Sequence, residues 1–322
     1  MSNLIVYAEI DDGLINDISL QCLATARRIA DQQGSSVSCV TAGANVAETA
    51  ATLFGYGADN VFAAESVALE GYIAKPYTSV VGAWIATQDS PLVLFPASTL
   101  GNDLAASIAA SLNAPCMLDC DSLEPAGDTY TLKRSEFDRK VMTSFAAVSG
   151  RPVIASLRDG ITEIPATNPA KTGSVTPVEV ALDDTEQLAK VLRRNVAKKT
   201  VNLKDAKIIV AGGAGVGTKE NFELIQRLAD TLNAEIGATR AVVDAGWMPA
   251  DHQVGQTGAT VRPELYIACG ISGAVQHRVG MCDSGKIIAI NVDANAPIFH
   301  IAHYKIVGDL KEVIPKLLKL LG

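Results

Sequence analysis

The sequence predicts an α/β protein with an N-terminal parallel-sheet α/β domain that carries an antiparallel extension, and a C-terminal doubly wound, Rossmann-like domain. Two observations support this. Short β-rich runs alternate with Ala-rich amphipathic stretches in both halves, a pattern typical of parallel strands joined by crossover helices. A basic, polar stretch at 195–207 separates the two blocks. We therefore expect domains at residues 1–198 and 206–322, with a linker at 199–205.

The N-terminal block predicts each element from its apolar pattern. Strands are expected at 4–9, 37–42, 60–63 and 92–96, and helices at 19–33, 46–55, 77–87 and 102–111. From residue 115 the runs are separated by turns, which predicts antiparallel strands at 129–134, 140–148 and 153–157. The stretch 161–177 has three prolines and no periodicity, so we expect a loop.

The C-terminal block repeats the alternation. Strands are expected at 207–211, 234–238, 264–269, 287–291 and 304–307, and helices at 219–232, 272–279 and 310–321. In open parallel sheets, ligands bind beyond the carboxyl ends of the strands. The polar and glycine-rich segments that follow these strands are therefore the candidate site.

Composition excludes several classes of function. The net charge of -8 argues against a nucleic-acid surface, and no apolar run approaches the ~18 residues of a membrane span. We expect a cytoplasmic, bacterial protein, because no signal or transit pattern precedes the first strand. The six cysteines form no C-x-x-C pair and the four histidines are separated, so no metal site is expected.

Three segments of the C-terminal block could contact a ligand. The first, 212–217, is glycine-rich but does not fit G-x-G-x-x-G, and Glu235 is a poor match for a ribose-binding acid. A phosphate-facing turn and a tight connection both stay open. The second, 270–277, places Ser272, Gly273 and Ala274 at the predicted helix start, where their amides and the helix dipole would suit a pyrophosphate.

The third segment is HQVGQTG, residues 252–258, whose polar and small residues either turn the chain or hold a ligand. Arg240 follows the preceding predicted strand. Its guanidinium could stack on an aromatic ring or form a solvated surface salt bridge. For His277, contact with a ligand and a structural role are both open.

These segments in their order resemble the electron-transfer flavoprotein alpha subunit. The resemblance lies in 265–277, Gly280 and 287–291, and upstream in 237–246 and 253–258. It continues through 296–299 and 306–309, and is looser in the N-terminal domain, chiefly at 99–103. The match is dense and in order from about residue 207 to the C-terminus.

The resemblance implies a non-covalent FAD held by the C-terminal domain, with no catalytic or metal-binding residue. It places the Thr257 hydroxyl near flavin N5, Arg240 over the isoalloxazine, and His277 as a donor that stabilises negative charge on the reduced flavin. The adenosine end would meet Asn291, Asp309 and Leu310. The implied FAD-binding residues are Thr239, Arg240, Gln253, Val254, Gly255, Gln256, Thr257, Ser272, Gly273, Ala274, Val275, Gln276, His277, Asn291, Asp309 and Leu310.

The implied function is that of an electron carrier rather than an enzyme. A beta subunit, holding AMP or a second FAD, would complete a heterodimer. Electrons would come from flavin dehydrogenases, such as the acyl-CoA dehydrogenases of fatty acid beta-oxidation, and pass to a quinone reductase or another acceptor. A bifurcating complex that reduces ferredoxin with NADH is an alternative, as are a stand-alone NAD-dependent enzyme and a scaffold subunit that has lost FAD.

Two departures from the family pattern are visible. Ala214 stands where the family commonly has an arginine, and His303 and Lys305 stand where an aspartate and a glycine are more common. We take as a hypothesis that His303 and Lys305 compensate for the missing charge.

Overall fold

The structure is a computed structural model. It describes residues 2–127, 129–137, 141–147, 152–183, 186, 189, 191–194, 201–203 and 206–321. The chain divides into two compact units, Met1–Arg194 and Asn195–Gly322. Residues 199, 200, 204 and 205 of the expected linker lie outside the described residues.

The N-terminal unit is built on a parallel sheet. Its strands are β1 Asn3–Tyr7, β2 Ile10–Asp11, β3 Leu14–Ile15, β4 Ser36–Gly43, β5 Asn60–Glu65, β6 Leu92–Pro96, β7 Cys116–Cys120, β8 Ser122–Ala126, β9 Thr129–Glu136, β10 Val141–Ala146, β11 Val153–Leu157 and β12 Thr176–Pro177. Its helices are α1 Asp17–Gln33, α2 Ala47–Ala50, α3 Ala74–Ala86 and α4 Thr99–Leu112. The main sheet has the order β12-β5-β4-β1-β6-β11-β7.

Both faces of this sheet are covered, as a parallel sheet requires. Successive side chains of a strand point to opposite faces. Accordingly, Leu4 and Val6 lie in one buried cluster, and Ile5 and Tyr7 lie in the other. The predicted parallel α/β domain is confirmed.

The antiparallel extension is also confirmed, but one strand was assigned to it wrongly. The antiparallel sheet consists of β8, β9 and β10. The stretch 153–157, predicted to be antiparallel, is β11, which pairs in parallel with β6 and β7. All five of its residues are buried, and a strand buried on both faces belongs inside a parallel sheet rather than in a half-exposed antiparallel one.

Helix ends in this unit follow local chemistry. The Asn16 side chain accepts from the Ile18 amide at the start of α1, and Gly34 ends the helix in a left-handed conformation. Helix α3 begins at Ala74, earlier than the predicted residue 77, because Pro76 is tolerated in a first turn. The predicted helix at 46–55 is α2 followed by a 3₁₀ turn.

The C-terminal unit is a second, smaller parallel sheet. Its strands are β13 Ile208–Gly212, β14 Glu235–Ala238, β15 Leu265–Cys269, β16 Lys286–Asn291 and β17 Tyr304–Val307. Its helices are α5 Phe222–Leu232, α6 Arg240–Asp244, α7 Val275–Arg278 and α8 Leu310–Leu321. The order β14-β13-β15-β16-β17, all parallel, confirms the predicted doubly wound sheet.

The strand order fixes where a ligand can enter this unit. The chain runs from β13 outward to β14 and then crosses back to β15 on the other side of β13. The loops after β13 and β15 therefore diverge and leave a crevice at the carboxyl edge, the general ligand position in such sheets. Ile209 and Val210 belong to different buried clusters, so both faces of this sheet are covered as well.

Within the residues that the structure describes, no helix combines the length and apolar character needed to cross a membrane.

Candidate functional site

A cavity of about 640 Å³ opens at the carboxyl edge of the C-terminal sheet. Its walls come from the loops after β13, β14, β15 and β16. The volume is in the ordinary range for small-molecule and cofactor sites. The crevice between the loops after β13 and β15 is thus also the place where the polar segments of the sequence meet.

Most of the residues expected at the site line this cavity. They are Thr239, Arg240, Gln253, Val254, Gly255, Gln256, Thr257, Ser272, Ala274, Gln276, His277 and Asn291. Gly273 and Val275 do not line it. Asp309 and Leu310 line a smaller cavity of about 170 Å³ instead, which shares Gly215, Gly270 and Asn291 with the first.

Several lining residues were not expected at the site. They are Gly213, Ala214, Gly215, Ala241, Gly270, Ile271, Asp293, Ala296 and Pro297. The sequence allows two roles for the glycine-rich turn at 212–217, and in the structure Gly213, Ala214 and Gly215 of this turn border the cavity. The signal for Ala296 and Pro297 was the matched segment 296–299, in which no site residue had been expected.

The loops after β13 and β15 form the floor of the cavity, and they contact each other through their backbones. The Gly213 amide donates to the Cys269 carbonyl and the Gly215 amide to the Gly270 carbonyl, each at 2.9 Å. A Cβ at Gly215 would lie 2.7 Å from the Gly270 carbonyl oxygen. Side chains are therefore excluded where the loops after β13 and β15 meet, and the floor is made of backbone.

The turn at 270–274 is not the helix start that the sequence predicted. The helix expected at 272–279 is the single turn α7, Val275–Arg278. Gly273 has φ +86°, which a right-handed helix does not allow, and a Cβ there would collide with the Ile298 amide nitrogen. One turn sums few peptide dipoles, so the expected dipole contribution is small.

The amides of this turn are nevertheless available. Among the residues that the structure describes, the amides of Ser272, Gly273 and Ala274 have no hydrogen-bond acceptor. The turn is held from below, because Asn291 Nδ2 donates to the Ile271 carbonyl at 3.0 Å. Asn291 therefore has a supporting contact in addition to its place in the wall.

The stretch 252–258 runs along the opposite wall. Its backbone is tied to β14 through the Val254 amide and the Ala238 carbonyl (2.9 Å), and to α7 through the Gln256 amide and the Gln276 carbonyl (2.7 Å). Gly255 has φ +141°, and a Cβ there would lie 2.7 Å from the Gln276 carbonyl oxygen. The close approach of this wall to α7 requires glycine.

Three side chains of this wall have defined hydrogen-bond partners. Gln253 Nε2 donates to Thr257 Oγ1 at 2.8 Å, which leaves the hydroxyl proton of Thr257 without an acceptor in the described part of the chain. The sequence predicts that His252, which stands before the matched segment 253–258, is an exposed loop residue, and this prediction is wrong. Its ring is half-buried, and Nδ1 donates to the Ile236 carbonyl at 2.7 Å.

His277 is a buried residue of the cavity lining. Its side chain lies between the Val254 carbonyl, 3.0 Å from Nδ1, and the Tyr266 hydroxyl, 3.1 Å from Nε2. Burial lowers its pKa to about 4, against the opposing effect of the hydrogen bond to Val254. The ring is therefore neutral at pH 7, and both nitrogens are engaged, so in this conformation it donates no hydrogen bond to the cavity.

Arg240 lies at the rim, at the first position of α6. Its Nε is 3.4 Å from Asp244 Oδ2, and the two side chains are 69% and 66% exposed. An ion pair of this kind contributes little to stability and leaves the guanidinium free to move. The two interpretations of the sequence are thus compatible: Arg240 forms a solvated ion pair and also borders the cavity.

The two departures from the family pattern lie in different places. Ala214 is exposed on the cavity wall, so an arginine there would add charge to the site. His303 lies at the other edge of the sheet, where its Nδ1 accepts from the Ile287 amide at the start of β16. The site is at the far end of that strand, beside Asn291, so this hydrogen bond does not bring His303 to the site. Compensation for the missing charge by His303 and Lys305 stays a hypothesis.

The charged groups near the cavity form no metal site. In the described portion of the chain, no group of three or more His, Cys, Asp or Glu side chains could hold a metal ion. The donors that line the cavity are amides, hydroxyls and one guanidinium, which suit an organic ligand with phosphate and heterocyclic groups.

Comparisons with known proteins match both units of the chain to domains of the same protein family. The electron transfer flavoprotein FAD-binding domain matches residues 202–282, and the electron transfer flavoprotein domain matches residues 4–183. An electron transfer flavoprotein subunit alpha of Thermoanaerobacterium thermosaccharolyticum is 38% identical over 316 residues, which cover 98% of this chain and 96% of that protein. Protein FixB of Clostridium saccharobutylicum is 42% identical, with 97% and 94% covered. Electron transfer flavoprotein subunit alpha of Bacillus subtilis is 38% identical, with 98% and 95% covered.

Proposed function

The chain belongs to the family of electron transfer flavoprotein alpha subunits, and we propose that it holds FAD in the cavity of its C-terminal unit and passes electrons between flavin dehydrogenases and an acceptor. FAD is the cofactor of the matched domain family. The observation that carries the proposal is the convergence of the glycine floor, the 270–274 turn and the 252–258 wall on one cavity of cofactor size.

The residues present fit this cofactor. The floor is made of backbone, because a Cβ at Gly215 would collide with the backbone of Gly270. The unpaired amides of 272–274 offer donors to a pyrophosphate, as backbone N–H groups commonly do for phosphates. The smaller cavity beside Asp309 and Leu310 continues from Gly215 and Gly270 and would take the adenosine end.

The residues at the other end would contact the isoalloxazine. Thr257 has a hydroxyl proton to donate, and Gln253 holds its oxygen in place, so Thr257 would present that proton toward flavin N5. Arg240 has a planar, permanently charged group at the rim that can lie on an aromatic ring. These two side chains supply a donor and a positive charge, which favour an electron-rich ligand over an electron-poor one.

The flavin supplies the redox chemistry, which is the reversible uptake of one or two electrons. The chain's own groups set how easily that happens. The positive charge of Arg240 would favour the reduced, more negative cofactor, and ~1.4 kcal/mol of such preference corresponds to a tenfold shift in the equilibrium. His277, neutral at pH 7, would act through the wall that it supports rather than through its charge.

The proposed partners follow from family membership. A beta subunit carrying AMP or a second FAD would complete the heterodimer, in the cytoplasm of a bacterium. Electrons would enter from flavin dehydrogenases such as acyl-CoA dehydrogenases, which places the protein in fatty acid beta-oxidation, and leave to a quinone reductase. The alternative is a bifurcating complex in which NADH reduces ferredoxin together with a high-potential acceptor.

The test is to co-express the chain with its beta subunit, count the flavins by absorbance, and measure reduction by two donors. A carrier is reduced by an acyl-CoA dehydrogenase with its substrate and not by NADH. Reduction by NADH with electrons appearing on ferredoxin identifies the bifurcating alternative. A purified complex without flavin, or with NAD in its place, contradicts the proposal.

A further inference from the structure

Tyr266 is a fully buried side chain behind the cavity that the proposed function does not use. It lies on β15 and is 0% exposed, yet its hydroxyl reaches His277 Nε2 at 3.1 Å. The other ring nitrogen of His277 reaches the Val254 carbonyl at 3.0 Å. Tyr266, His277 and Val254 thus form one buried chain of hydrogen bonds from the sheet to the cavity wall.

The direction of each hydrogen bond in this chain is fixed by chemistry. A carbonyl can only accept, so the proton of the neutral ring is on Nδ1 and is donated to Val254. Nε2 is then an acceptor, and Tyr266 must donate to it. Burial, with a lesser contribution from Cys269, raises the pKa of Tyr266 well above its usual value, so the hydroxyl keeps its proton.

The Val254 carbonyl belongs to a wall that has little freedom elsewhere. The Gly255 amide donates to the Ala259 carbonyl at 3.1 Å, and the Gly258 amide donates to the Gly255 carbonyl at 3.0 Å. A Cβ at Gly280 would lie 2.5 Å from the backbone of Gly255. The wall and the segment after α7 therefore touch backbone to backbone, and the His277 ring adds a side-chain link between them through its hydrogen bond to the Val254 carbonyl.

We propose that Tyr266 is a positioning residue for the flavin site. By donating to His277 Nε2 it holds the ring in the Nδ1–H tautomer, and the ring in turn holds the Val254 carbonyl and the backbone of 255–257 against the cofactor. This role rests on the proposed function, because the wall matters for electron transfer only if FAD binds there.

The first measurement uses the unaltered full-length chain without FAD. With ¹⁵N-labelled histidine, the nitrogen shifts report which ring nitrogen is protonated. The chain has four histidines, and the His277 signal is the one missing from His277→Gln. We expect a neutral Nδ1–H ring at pH 7. A proton on Nε2, or a ring that titrates near its usual pKa, overturns the assignment whether or not Tyr266→Phe folds.

The second measurement compares Tyr266→Phe with Tyr77→Phe. Tyr77 is a matched control, because it is also buried and loses one hydroxyl bond, to the Leu69 carbonyl at 2.9 Å, in the other unit. Removing the donor to Nε2 withdraws support from the neutral ring, so the pKa of His277 should rise. FAD, added to the chain with its beta subunit, should bind about three- to tenfold more weakly to Tyr266→Phe, the effect expected for one buried hydrogen bond.

The outcomes separate this role from the proposed function. Tyr77→Phe should match the unaltered chain in both FAD affinity and the His277 spectrum. If Tyr266→Phe does so too, Tyr266 has no positioning role. If the unaltered chain shows the expected tautomer but takes up no FAD, the hydrogen-bond chain is real and the proposed function is wrong.

Discussion

Acid should destabilise the C-terminal unit in part through one buried side chain, His277. The ring has a pKa of about 4 in the folded chain because it is buried, whereas in the unfolded chain it has the ordinary value of about 6.5. Between these two values the unfolded chain binds a proton that the folded chain does not. The free energy of unfolding therefore falls as the pH falls from about 6.5 to about 4.

The size of this loss follows from the two pKa values. The difference is about 2.5 units, and each unit corresponds to ~1.36 kcal/mol, so roughly 3 kcal/mol should be lost between pH 7 and pH 4. That is a large part of the 5–15 kcal/mol typical of folded domains. The loss should level off below pH 4, where the folded ring also binds the proton.

The assay is urea unfolding at a series of pH values, followed by Trp247 fluorescence in a Trp84→Phe background. The chain has two tryptophans, and Trp247 packs edge-on against Phe222 in the C-terminal unit. The comparison is with His277→Gln, which cannot titrate. Carboxylates titrate in both chains and cancel in the difference. If the two stabilities run parallel from pH 7 to pH 4, the reasoning about His277 is refuted.

Three further outcomes are expected. Gly255→Ala should lower the free energy of unfolding by about 2–4 kcal/mol, because the added Cβ overlaps the Gln276 carbonyl. The control is Gly246→Ala, which is also at positive φ but has open space around it and should lower the free energy of unfolding by about 1–2 kcal/mol. Equal losses for the two variants in urea unfolding would contradict the overlap. Arg240→Ala should lower the flavin midpoint potential in a redox titration yet change stability by less than about 1 kcal/mol, and Asp244→Ala should leave the potential higher than Arg240→Ala does. Of the six cysteines, all of which the structure describes, Cys116 alone is exposed, so a thiol reagent should modify it first and Cys116→Ser should remove that phase.

Much of the fold could be predicted from the alternation of apolar and amphipathic runs. The wrong predictions have a common physical origin. The pattern of apolar residues indicates which residues are buried, but not which strand is the neighbour. Stretch 153–157 reads as a short apolar strand in either kind of sheet, and only its place between β6 and β7 makes it parallel. Helix α7 is shorter than predicted because Gly273 takes a backbone conformation that composition does not reveal.

The site divides in the same way. The polar segments could be located from sequence because they interrupt apolar strands, and parallel topology brings them to one edge. The hydrogen-bond partners of buried polar groups could not be predicted from the sequence. The sequence offers no sign that Tyr266 on β15 reaches His277, or that His252 donates to Ile236, since both contacts depend on tertiary packing.

The contact between Gly255 and Gly280 has a consequence for how such a site can diversify. Where two backbones touch, no side chain is available to be exchanged, and any substitution adds atoms where there is no room. The charge of the site can therefore change only where side chains are exposed to the cavity, as at Ala214, Arg240 and Gln256. The backbone contact fixes the shape of the inner wall, and the exposed positions are those that can vary without a change of fold.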